Sequence, residues 1–203
     1  MPAMSAPVAR ASGQVQVEYH AFHLADAGEY TQPPFHPENG LIFSRPGLAV
    51  VLAGVNSGPV DVTVEIYRRA VPLPDHAEVW DEVVDHSIES LTGDMRVTAM
   101  MDALPELPVL TPFGPGPYRA RVHARGRDRA HDAHVALPVE VFLLQVWPRQ
   151  REPDLIHQHN DRYGQSMRQS VQAQPQQVAP PEPAEEDWRR AANERLHRRG
   201  PDQ

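Results

Sequence analysis

Between Gln14 and Trp147, apolar residues recur with a period of two, interrupted by clusters of Gly, Pro, Asp and Asn. This spacing predicts an all-β fold, an antiparallel β-sandwich of about seven or eight strands. Val15, Val17 and Tyr19 alternate with Gln16, Glu18 and His20. Residues 47–54 form a short continuous apolar run, which suits a strand covered on both faces. After a turn at 56–59 the alternation is at its clearest. Val60, Val62, Val64 and Ile66 share one face, and Asp61, Thr63, Glu65 and Tyr67 the other.

Residues 79–91 read as one long strand, turned at Thr92–Asp94 into a hairpin partner over Met95–Met101. Prolines exclude 104–117 from a central strand and make it a connection. Tyr118, Ala120, Val122 and Ala124 then face inward, with Arg119, Arg121, His123 and Arg125 outward. Residues 139–147 form the last strand, ended by Pro148. Outside these limits the pattern fades, which predicts three parts: a disordered leader over 1–13, a β-sandwich over 14–148 and a disordered tail over 149–203. The tail is Gln-rich at 165–177, and such composition buries too little surface to offset ordering entropy. Within it, acids at 185–187 precede Arg189, Arg190, Arg195 and Arg198, an order that suits a short helix over 185–199 with Trp188 as an exposed anchor.

Composition narrows the chemistry. Apolar residues make up 40 % of the 203 and there are 22 prolines, in keeping with a chain that is packed only in part. Without cysteine there is no disulfide, thiolate metal site or thiol nucleophile. No apolar run has the length of a signal sequence or membrane span, so the expectation is a cytoplasmic protein. All 19 basic residues are Arg, which removes lysine chemistry. The net charge of −8 sits in the fold: residues 1–148 hold 10 Arg against 18 acids, and the remainder 9 against 9. An acidic fold repels phosphate backbones, so nucleic acid is excluded as the main ligand.

Candidate sites are few. Arg119, Arg121, Arg125 and Arg127 lie at alternate positions and could grip an anion, with neighbours about 7 Å apart. The structural reading of the same row is cross-strand pairing with Asp81, Asp85 and Glu89. His131, Asp132 and His134 would serve a metal-dependent enzyme, but their spacing matches no recognised ligand set, so neither metal nor cofactor is expected. No serine lies in a nucleophile elbow and the paired carboxylates read as a strand's wet side, so no catalytic residue is assigned and the chain is read as a non-enzyme.

Residues Gly116–Asp128 and Phe142–Pro148 resemble a signature of uncharacterised bacterial β-sandwich proteins, and Tyr19–Phe22 with the alternation after it is similar to the competence nuclease inhibitor family. The resemblance implies a compact β-sandwich that blocks a nuclease, and carries no inhibitory residue over to this chain. Together with the acidic fold it leads to the expectation of a non-catalytic module, of inhibitor or immunity type, that presents Asp81, Glu82, Asp85 and Glu89 to a basic protein partner. The alternative is an assembly protein acting through its tail, anchored by Trp188.

Overall fold

A computed structural model describes residues 6–28, 31–73, 79–99 and 105–173. In chain order the elements are β1 (Ala9–Glu18), β2 (Ala21–Ala25), β3 (Ile42–Arg45), β4 (Leu48–Leu52), β5 (Ser57–Ile66), β6 (Glu82–Ser90), β7 (Arg96–Thr98), β8 (Gly116–Arg125), β9 (Val141–Pro148), β10 (Leu155–His159) and α1 (Arg162–Ala173). The strands make one mixed sheet, ordered β10-β6-β8-β9-β5-β1-β2-β4-β3, with β7 added on β2. The all-β class holds. The sheet departs from an all-antiparallel sandwich because β5 and β9 run parallel, Asp61 opposite Val141 through Ile66 opposite Val146. A parallel pair needs a long crossover, here the chain carrying β6 to β8, and strand periodicity is blind to direction.

The sheet curls around a single interior. Val62 and Val64 of β5, Val84 and Ile88 of β6, Ala120 and Val122 of β8 and Leu144 of β9 join one cluster with Leu24 of β2 and Val51 of β4. Phe22 and Phe142 meet edge to face at 5.2 Å although two strands separate theirs in the sheet, which only a curled sheet permits. At the far end Gly47 N–H donates to Glu89 C=O at 2.8 Å, tying the β3–β4 turn to β6. Beside it, side chains close the seam. Ser44 Oγ lies 2.7 Å from His86 Nε2, and His86 Nδ1 meets Asp154.

Order extends past both expected boundaries. Val8 N–H donates to Ile66 C=O, and β1 pairs with β5 from Ala9 onward, so residues 9–13 of the expected leader are strand. Ala9, Ala11 and Gly13 are too small to print an apolar alternation, yet Leu107 packs over Gly13. At the other end β10 and α1 fall inside the expected tail. The hairpin expected across Thr92–Asp94 is also corrected, since β7 pairs with β2. Asp26 explains it: its carboxylate accepts from Leu91 N–H and from the hydroxyls of Ser90 and Thr92, turning the chain away from β6, which β8 pairs along its whole length. The helix expected over 185–199 and its Trp188 lie outside the described residues. No helix among the described residues is long and apolar enough to cross a membrane.

Candidate functional site

Every residue of β4 is buried, because the strand is covered on both faces. Its inner face feeds the core, while Val50 and Leu52 turn outward and join Ala21, Phe43 and Tyr163 in a second cluster, against which Met167 packs. Phe35 crosses Phe43 edge to face at 5.5 Å. Beside them lies a cleft of about 400 Å³, lined mainly by apolar groups, with Tyr19 and Phe35 among its walls and Glu18, His23 and Gln32 as its polar members. Its volume is in the range of ligand-binding clefts. Burial holds the His23 imidazole below its ordinary pKa, so at neutral pH it adds no positive charge there.

The wall formed by Tyr19 is conformationally unusual. Glu18 pairs with Ala21, and the two residues between them, Tyr19 and His20, both have positive φ, 51° and 62°. Such a two-residue turn prefers Asn-Gly, and each bulky residue there costs on the order of 1 kcal/mol. His20 is what holds it. Its amide donates to Asn56 C=O, its carbonyl accepts from Ala53, and its ring contacts Gly54 C=O at 3.1 Å and Asp132 Oδ1 at 3.2 Å while stacking on Tyr163. Tyr19 itself stands 77 % exposed. The strain therefore keeps an aromatic ring in water at the edge of an apolar cleft.

The expected acidic face does not exist as a face. Glu82 and Asp85 are buried; Arg168 holds Glu82 through both carboxylate oxygens, and Arg121 holds Asp85 in the same way. Asp81 accepts from Gly126 N–H and is half-buried, as is Glu89. Burial pushes the Glu82 carboxyl up to about 7 despite Arg168. For Asp85 burial acts in the same direction, but Arg121 outweighs it and brings the carboxyl below its ordinary range. The chain after Pro148 folds over Glu82 and Asp85. Glu152 and Pro153 offer their carbonyls to Arg119, and β10 pairs with the first half of β6.

The arginine row is dispersed by the same cover. Arg119 and Arg121 are buried in these bonds, Arg125 stays exposed over the Trp80 ring, and Arg127 is fully buried with Asp161. The row thus forms no anion grip; its expected pairing with Asp85 is present through Arg121. His131, Asp132 and His134 part company: His131 packs on Tyr163, Asp132 meets His20, and His134 meets Ser57. Among the described residues no group of three or more His, Asp or Glu is placed to share a metal ion.

Comparison with family models, curated proteins and solved structures returns no match for this chain. The site therefore rests on its own geometry. Sequence reasoning missed the Tyr19 turn because Tyr-His belongs to no turn alphabet, and it missed the seam at Ser44 because its members come from three distant segments.

Proposed function

We propose that the chain is a protein-binding module whose cleft beside Tyr19 takes an apolar side chain from a partner segment that also carries Arg or Lys. The observation supporting this is Tyr19, a bulky aromatic kept exposed on a strained turn at the wall of an apolar cleft. Strain of this kind persists where function requires it, and aromatic residues at cleft walls are the usual energetic anchors of interfaces. Glu18 in the lining and the negative charge of residues 1–148 favour a basic neighbour for the apolar anchor. A basic enzyme, the kind of partner that the inhibitor-family resemblance implies, would suit this charge.

The test is selection of a random peptide library on the full chain. Peptides that pair an aliphatic or aromatic residue with Arg or Lys should be enriched, and Tyr19→Ala should weaken the best of them at least tenfold by calorimetry. Enrichment of acidic peptides, or binding indifferent to Tyr19→Ala and Phe35→Ala, would refute the reading.

A further inference from the structure

Three side chains at the sheet's seam are related as nucleophile, base and orienting acid. Ser44 Oγ on β3 lies 2.7 Å from His86 Nε2 on β6, and His86 Nδ1 lies 2.8 and 2.9 Å from the two oxygens of Asp154. Asp154 is itself fixed. Buried Asn39 accepts from the amides of Leu41 and Ile42 at its Oδ1, which leaves its Nδ2 to donate to Asp154 Oδ2 at 2.5 Å. Burial acts to raise the Asp154 carboxyl, but the bonds from His86 and Asn39 and the charge of Arg119 bring it below the ordinary carboxylate range. An ionised Asp154 requires the proton of neutral His86 on Nδ1, which turns the Nε2 lone pair to the Ser44 hydroxyl.

The arrangement reaches the surface, with side-chain exposures of 14 % for His86 and 32 % for Asp154 and a half-buried Ser44. A purely structural seam has an outlet for the serine proton at Ser87 C=O, but that contact is longer, 3.3 Å. Triads are recognised by geometry and role, independent of chain order.

We infer that Ser44 is an activated nucleophile, with His86 as its general base and Asp154 and Asn39 as positioning residues, and that its substrates are activated esters. In the step, Ser44 Oγ attacks the acyl carbon as its proton passes to His86 Nε2. The carbon–oxygen bond to the alcohol breaks, and that proton leaves with the alcohol. Water, deprotonated by the same His86, then hydrolyses the acyl-serine and returns the proton to Ser44. The site is independent of the cleft, since Ser44 follows Phe43 on β3 and faces the other side of the sheet.

The experiment is reaction of the full chain with an alkyl fluorophosphonate, read by intact mass and by peptide mapping. A single adduct at Ser44 is expected, formed at least 100-fold faster than at Ser12, an exposed serine whose hydroxyl meets that of Thr63. His86→Gln should lower the rate at least 100-fold. Asp154→Asn should lower the maximal labelling rate while leaving the half-saturating probe concentration unchanged, which a merely structural role would not do. Because the first reading is made on the native protein, unfolding of a variant does not obscure it. No adduct, or labelling of Ser44 no faster than of Ser12, overturns the proposal, and either result leaves the peptide-binding reading untouched.

Discussion

Arg127 and Asp161 form a bidentate ion pair, 2.6 and 2.9 Å, with both side chains shut off from solvent. Arg127 also donates to the carbonyls of Gly40 and Leu52 and sits 5.2 Å from the Tyr163 ring. Asp161 meanwhile caps α1 by accepting from Gly164 N–H, and neighbouring Asp128 accepts from the amides of Arg162 and Tyr163. One arginine thus hooks the helix to the end of the sheet, and the helix in turn backs the cleft. Asp161→Ala leaves the guanidinium buried and unpaired and should cost about 3–5 kcal/mol in denaturant unfolding. Arg127→Met with Asp161→Leu should cost less than Asp161→Ala alone.

Gly54 lies under the same arginine. A Cβ there would come 1.8 Å from the Arg127 carbonyl oxygen, a backbone atom with no freedom to swing aside. Gly54→Ala should therefore destabilise by about 2 kcal/mol or more. Gly114 is the contrast: its φ is +105° but nothing lies within 4 Å of a new Cβ, so Gly114→Ala should cost only about 1 kcal/mol of backbone strain. Thermal melts of the two variants compare steric overlap with strain.

Two buried groups drive stability in opposite directions between pH 4 and 7. Glu82 goes from 4.5 to about 7 on folding, so its contribution is complete below pH 4.5 and is lost as pH rises through 7. His123 goes from 6.5 to about 4, chiefly through burial, so its contribution is complete above pH 6.5 and is lost as pH falls through 4, about 3 kcal/mol in all. The native protein should show a shallow profile. Glu82→Gln should make stability rise more steeply with pH over this range, and His123→Leu should make it fall, as measured by urea midpoints at half-unit steps.

The Tyr19 turn predicts a trade between stability and binding. Asn tolerates positive φ better than Tyr, so Tyr19→Asn should raise stability by about 0.5–1 kcal/mol while abolishing binding of the selected peptides. A variant that loses both would make Tyr19 a structural residue.

A chain ended at Pro148 should lose cooperative unfolding. It lacks the carbonyls of Glu152 and Pro153 that hold Arg119, the β10 pairing of β6 and the Asp161 partner of Arg127, and so leaves two guanidiniums buried without their acceptors. Circular dichroism melts against a chain ended at Ala173 measure the difference.

Much of the sheet was legible because strand residues that face a core must alternate. Val60 to Ile66 and Tyr118 to Ala124 could be assigned to inner faces from that rule alone, as could the doubly covered run through β4. The candidate sites were not. Asp85 and Arg121 were correctly paired across strands, yet both read as solvated because polar residues on an alternating strand usually are. Their cover, residues 149–159, holds few apolar groups and attaches through backbone carbonyls and an edge strand, which leave no mark in side-chain pattern.

By itself the sequence determined the all-β class, the inward face of most strands and the chemistry denied to a chain without cysteine or lysine. These follow from local periodicity and composition. Tertiary structure alone decided that β9 runs parallel to β5, that Glu82 and Arg127 are buried, and that Ser44, His86 and Asp154 meet. Each of these depends on where distant segments come to lie, and a charged or hydroxyl side chain carries the same local signature whether water or a partner more than 40 residues away satisfies it.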